Sequence, residues 1–157
     1  LAVGGSELAR ELGEAKIRLP TRPSSDVDDD PRTIYDRAYE DYGEGNLDLA
    51  ILGFRQYLEM FPDTEQSDNA AYWLGESYYR KNRFQQAIEE FDRVLTGYPG
   101  SDRAASSLLK KGYAYLEMGQ RAQGLVQLQR VVCEFEGTDE ALLASTRLGE
   151  LGIDFEC

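Results

Sequence analysis

The chain contains no histidine. That removes the side chain that most often serves as a general base near neutral pH, and with it the commonest metal ligand. Long apolar runs are missing too: no stretch approaches the roughly 20 apolar residues that a membrane span needs. Positive charge is scarce, with 17 lysines and arginines against 29 acids and a net charge of −12. Phosphate backbones and anionic membrane surfaces repel such a chain, so nucleic acid and lipid are poor partners. Only two cysteines occur, Cys133 and Cys157. Cys133 lies in an apolar helical run and reads as a small core residue. Spacing alone does not establish whether it pairs with Cys157. Nor is there a glycine-rich phosphate loop, a cluster with metal-ligand spacing, or a nucleophile beside a base. Carboxylates do stand in pairs, Glu89-Glu90 and Asp139-Glu140. Neighbours on a helix point to different sides, however, so these read as solvated faces. No catalytic residue, metal or cofactor is expected. The chain begins at Leu1 rather than Met, as a processed or trimmed product would.

What the chain does have is repetition. Ala50, Ala87 and Gly124 step by 37 residues, as do Phe54, Phe91 and Leu128, and Leu58, Leu95 and Val132. Phe61, Tyr98 and Phe135 keep the same interval, and so do Thr64, Ser101 and Thr138. A unit this short cannot bury its own apolar face and must stack on its neighbours, so the chain is expected to be a solenoid. Helices are predicted over 31–43, 47–61, 66–81, 84–98, 103–118, 121–135 and 139–151. Phe61-Pro62 and Tyr98-Pro99 end helices, because a residue before proline disfavours αR geometry. Asp30-Pro31 opens the first helix with an N-cap residue and a proline in the first turn. Thr64, Ser101 and Thr138 are placed to cap the helices that follow. Each precedes an acid (Glu65, Asp102, Asp139) that suits the positive end of a helix. Small residues at Ala38, Gly75 and Gly112 let a partner helix come close.

Ahead of the repeats, residues 1–19 read as a short N-terminal helix. Leu1, Leu8 and Ala15, with Gly5, Leu12 and Leu19, form two short heptad columns. Such a helix either assembles copies of the chain into a homo-oligomer or docks on its own domain. Residues 20–30 read as an acidic linker. The repeats then occupy 31–67, 68–104 and 105–138, with a cap over 139–151 and a tail over 152–157.

This pattern resembles the tetratricopeptide repeat. The second copy matches best, with Ala71, Leu74, Gly75, Tyr78, Ala87, Phe91 and Pro99 at the family's signature positions. The third is the most divergent, keeping Gly112 and Tyr115 but carrying Gly124, Leu128 and Glu136. The resemblance implies an all-α, right-handed solenoid of three helix-turn-helix repeats plus a C-terminal capping helix. A narrower resemblance rests on 68–79 (DNAAYWLGESYY), 91–95 (FDRVL) and 108–113 (LLKKGY). These segments look like the C-terminal domain of the CpoB/YbgF family of Tol-Pal system proteins. That implies a non-catalytic periplasmic adaptor that binds TolA, with a peptidoglycan synthase as a further partner, and coordinates peptidoglycan synthesis with outer-membrane constriction in cell division. An alternative resemblance is to BamD-like outer-membrane assembly factors, or to another periplasmic scaffold of such repeats.

In stacked helical hairpins, the first helix of each repeat lines the hollow face. Helical rotation from Ala71, Leu74, Gly75 and Tyr78 then predicts the groove. Repeat one contributes Tyr35, Tyr39 and Tyr42, and repeat two Asn69, Tyr72, Glu76 and Tyr79. Repeat three contributes Leu109, Tyr113 and Leu116. Tyrosine offers a large apolar body and a hydroxyl at low conformational cost, which suits recognition of a protein segment. The bland reading is that these rings only fill the space between repeats. Glu76 and the net charge favour a partner carrying Lys or Arg.

Overall fold

A computed structural model describes residues 30–157; the expected helix over 1–19 and the linker up to Val27-Asp28-Asp29 lie outside the described residues. Within them the chain forms α1 (Pro31–Gly43), α2 (Leu47–Met60), α3 (Ser67–Arg80), α4 (Phe84–Gly97), α5 (Ala104–Glu117), α6 (Arg121–Glu134) and α7 (Asp139–Glu150), and no strand. Each helix packs on the next in sequence, so three antiparallel hairpins stack in order and α7 closes the end. First helices of successive hairpins also meet, α1 with α3 and α5 with α7, while second helices do not to the same extent. The stack therefore curves with its first helices on the inner side.

The turn inside each hairpin is set by one backbone position. Gly45, Asn82 and Gly119, 37 residues apart, have φ of +80°, +59° and +75°. Glycine takes this left-handed geometry without strain, and asparagine tolerates it better than most residues. The reversed chain then satisfies the helix end, with Asn46, Arg83 and Gln120 N–H donating to the carbonyls of Asp41, Tyr78 and Tyr115 at 2.8, 2.9 and 2.9 Å. Between hairpins, Phe61 and Tyr98 swing out to φ −134° and −130° before their prolines. Phe135 does the same at −124° although Glu136 follows it. Packing of the recurrent aromatic, rather than proline alone, thus ends these helices.

The capping expectation holds at Thr138 alone, whose hydroxyl accepts from Ala141 N–H at 3.1 Å. Thr64 and Ser101 are corrected, because a short turn separates each from its helix. Their hydroxyls instead accept from Gln66 and Arg103 N–H two residues on. Asp30 does stand at the N-cap position, but its carboxylate accepts from the Thr33 hydroxyl at 3.3 Å rather than from backbone.

The interior forms two apolar clusters. One runs through α1–α4 around Phe54, Tyr57, Leu74, Phe91 and Val94, and the other through α5–α7 around Leu108, Leu128, Val131 and Leu148. The small residues sit at the hairpin contacts. A Cβ on Gly75 would lie 2.6 Å from the Phe91 ring, and one on Gly112 3.0 Å from Leu128. In the first hairpin the missing volume is on the other helix: Gly53 faces Ala38, where a Cβ would come within 2.7 Å of the alanine Cβ.

The C-terminal end departs most from expectation. α7 closes as the other first helices do, with Gly152 at φ +77° and Ile153 N–H donating to Leu148 C=O at 2.9 Å. The residues after it continue along α6 without forming a further helix. Ile153 and Phe155 pack on the second cluster, and the Arg121 guanidinium donates to Leu151 C=O at 2.8 Å. Cys157 is disulfide-bonded to Cys133. The reading of Cys133 as a core residue is therefore corrected: it is exposed on α6, far round the helix from buried Leu128 and Val131.

Candidate protein-binding face

On the inner side, α1, α3, α5 and α7 are joined by contacts at a constant offset of 34 residues. Tyr39 meets Trp73 edge to face, with ring centroids 5.1 Å apart. Asn69 Oδ1 accepts from Arg103 Nε at 2.7 Å, and Glu76 pairs with Lys110 at 3.4 Å. Ser106 donates to Glu140 at 2.8 Å, and the Arg147 guanidinium lies 5.9 Å from the Tyr113 ring centre. An offset three short of the repeat means that each first helix is slid by about one turn against the previous one. The sequence period reports equivalent positions, whereas this ladder reports contacting ones.

The ladder also places cations over the tyrosine rings. Arg80 covers Tyr42 at 4.9 Å and donates to its carbonyl at 3.1 Å. Arg103 lies 5.0 Å from the Tyr72 ring and 5.2 Å from Trp73, and Lys110 lies 5.0 Å from Tyr79. Each such contact contributes about 0.5–2 kcal/mol. Most of these cations come from the following repeat, so the rings both tie repeats together and line the face. None of the covering residues was identified from sequence: Lys110 and Arg147 stand 37 apart, but their column opens on Trp73, and 37 residues after Arg80 and Arg103 stand Glu117 and Glu140.

The ten predicted groove residues divide accordingly. Tyr39 is exposed (47%), and Tyr35, Tyr42, Tyr79 and Tyr113 are half-buried along the same side. Trp73, which the sequence reading left out, belongs with them through Tyr39, Tyr42 and Tyr72. Asn69 is half-buried and committed, accepting from Arg103 while its amide donates to Gln66 at 2.8 Å. Tyr72 is only 6% exposed, wedged between Trp73 and Phe91. It belongs to the first core cluster and is corrected as a groove residue. Two further positions are corrected. Leu109 (4% exposed) belongs to the second core cluster. Leu116 turns toward α6, where a Cβ on Gly124 would lie 2.7 Å from its side chain. The Leu116 error comes from carrying the rotation of α3 onto α5, whose partner helix has Gly124 in place of alanine and leaves room for the leucine; the Leu109 error is already present at its α3 counterpart, Tyr72.

Glu76 is corrected as well. It is 8% exposed and occupied by Lys110, so it is not free to receive a partner's cation. Burial raises its carboxyl above the ordinary 4.5, with Lys110 pulling the other way. The folded state thus holds this proton more tightly than the unfolded chain. Its contribution to stability is full below about pH 4.5 and is lost as pH rises through the folded value. Glu76→Gln removes that dependence. Relative to wild type, the variant should gain stability between pH 4.5 and 7 in urea unfolding, and parallel pH profiles would refute the assignment.

Burial also pushes the Tyr35 and Tyr79 hydroxyls up to about 12, and raises those of Tyr42, Tyr72 and Tyr113. These rings therefore stay neutral and can each donate or accept one hydrogen bond. Among the described residues, no group of His, Cys, Asp and Glu side chains could hold a metal. In the adjacent acid pairs, Glu90 is paired with Arg93 and Glu140 accepts from Ser106. No helix among them is long and apolar enough to cross a membrane.

The comparisons with known proteins agree with this architecture. Residues 35–102 match a family model described as tetratricopeptide repeat, and residues 106–135 match a second model of the same description. Among solved structures, the chain is similar to the N-terminal domain of stress-induced protein-1 (STI-1) from C. elegans, with a TM-score of 0.63 at 12% identity. That alignment covers 78% of this chain and 98% of the other. No curated protein matches the chain. At such low identity the structural likeness speaks for the fold alone, and the repeat models supply the family. Residues 35–102 and 106–135 belong to the tetratricopeptide-repeat family, folded as an all-α solenoid.

Proposed function

We propose that the chain is a non-catalytic protein-binding module, in which the inner face formed by α1, α3, α5 and α7 receives a protein segment. The observation that carries this is the row of half-exposed rings, Tyr39, Tyr42, Trp73, Tyr79 and Tyr113, on consecutive first helices. Rigid rings with polar tips give contact area at small entropic cost and are favoured where proteins meet. In its specific form the reading is a periplasmic, CpoB-like adaptor that binds TolA and links peptidoglycan synthesis to outer-membrane constriction. The resemblance of 68–79, 91–95 and 108–113 supports that form. The Cys133–Cys157 disulfide suits it too, since such bonds persist in oxidising compartments such as the periplasm.

Calorimetry with purified TolA tests both levels. Tyr39→Ser combined with Tyr79→Ser should weaken binding about tenfold or more, the cost expected when a central interface aromatic is lost. The melting temperature should fall by a few degrees, because both rings also contact neighbouring residues, so affinity is compared at a temperature where both proteins are folded. Unchanged affinity in the double variant would remove the inner face from the proposal. No binding by the wild-type chain would remove TolA as the partner.

A further inference from the structure

The ladder of first-helix contacts lacks one rung. The pair that precedes Asn69–Arg103 in register is Arg32 and Gln66, and it is not made. Gln66 turns back to accept from Asn69, while the Arg32 side chain is 89% exposed and only loosely paired with Asp36 at 3.9 Å. Where that rung would lie, the structure has a cleft of about 530 Å³ walled by Pro31, Tyr35 and Tyr57. This volume falls in the range of ligand-holding clefts, about 300–1,000 Å³. Its polar depth is already satisfied: the Tyr57 hydroxyl and Thr64 Oγ1 are 2.5 Å apart, and Thr64 is bonded in turn to Ser67. The Tyr57 ring is buried behind Tyr35 and Phe61, so what remains open to the cleft is the half-buried Tyr35 ring and Pro31. Tyr35 stacks on Tyr39 at 6.3 Å, so the cleft continues the aromatic row. At the rim stand Asp36 and Glu65 with Arg32 as the one cation, on a chain of net charge −12.

We propose that this cleft is a docking subsite for one leucine-sized apolar side chain of a protein segment whose flanking residues are basic. The proposal rests on the reading of the chain as a protein-binding module and adds where the bound segment is anchored and what chemistry it carries. The apolar walls supply affinity in proportion to the area they cover. The acidic rim selects the flanks and steers the approach.

The test is an amide NMR titration of the full 157-residue chain with the blocked pentapeptide Lys-Lys-Leu-Lys-Lys. Saturable shifts are expected in residues 32–36 and 64–66. Replacing the peptide's leucine by alanine should weaken binding about tenfold, and replacing its lysines by glutamate should abolish it. In the protein, Asp36→Lys with Glu65→Lys should weaken the original peptide and strengthen the glutamate one; both side chains are exposed, so the fold tolerates the change. Indifference to the leucine would overturn the proposal, as would the absence of saturable shifts. Shifts confined to α3 and α5 would overturn it while leaving the inner-face function standing. Nuclear Overhauser contacts from residues 1–29 to the Tyr35 and Tyr57 rings in the free chain would assign the cleft to the chain's own N-terminal segment and likewise overturn it.

Discussion

Phe91→Ala is expected to destabilise the chain by about 4 kcal/mol, within the span for large aromatic deletions in well-packed cores. Phe91 is fully buried at the meeting of α3 and α4, with its ring edge set against the bare backbone of Gly75 and its face near Tyr72. The converse change is informative. Gly75→Ala should raise intrinsic helix stability by about 1 kcal/mol, yet its Cβ would sit 2.6 Å from the ring. The ring is enclosed and cannot move away cheaply, so overpacking of about 1–3 kcal/mol should outweigh the gain. In the Phe91→Ala background the obstruction is gone and Gly75→Ala should become neutral or stabilising. A double-mutant cycle by urea unfolding reads this coupling directly, at about 1–2 kcal/mol for residues in contact. Strict additivity would show that Gly75 is not there to admit the ring.

The second large effect is at the other end of the stack. Removing the disulfide by Cys133→Ser with Cys157→Ser should lower stability by about 3 kcal/mol, the loop-closure value for a separation of 24 residues. The loss should also be local. In a solenoid each unit touches only its neighbours, so hydrogen exchange should accelerate in α6 and α7 and stay unchanged in α1–α3. The reason is that the tail supplies Ile153 and Phe155 to the second cluster. Without the bond, the tail is left with those contacts and the Arg121–Leu151 and Ile153–Leu148 hydrogen bonds. Chemical reduction of the wild-type chain should reproduce the effect. Equal unfolding midpoints for oxidised, reduced and substituted protein would mean that the tail docks without help from the bond.

Most of the fold was legible in the sequence because the physical demand recurs. Ala50, Ala87 and Gly124 repeat because every hairpin needs a small residue at the same crossing, and Gly45, Asn82 and Gly119 repeat because every hairpin needs a left-handed turn. The candidate face was only partly legible. The tyrosines at helical spacing do lie on the inner helices α1, α3 and α5. Of the leucines carried across by analogy, Leu109 is buried in the interior and Leu116 packs against α6. Trp73 was missed because the matching positions are Asp36 and Lys110, so no column marks it.

What the sequence determined by itself was the unit, its number and its stacking, since each follows from local turn geometry and from burying a stripe that one hairpin cannot bury alone. The tertiary structure decided the rest. It set the slide between neighbouring first helices that brings Lys110 to Glu76 and Arg103 to Asn69. It brought Cys157 back to Cys133, and it left the Arg32–Gln66 rung open. The contacts between first helices fall at an offset of 34 residues, not at the 37-residue period. Their partners are fixed by how rigid helices settle against one another, which a repeat period records only as an average.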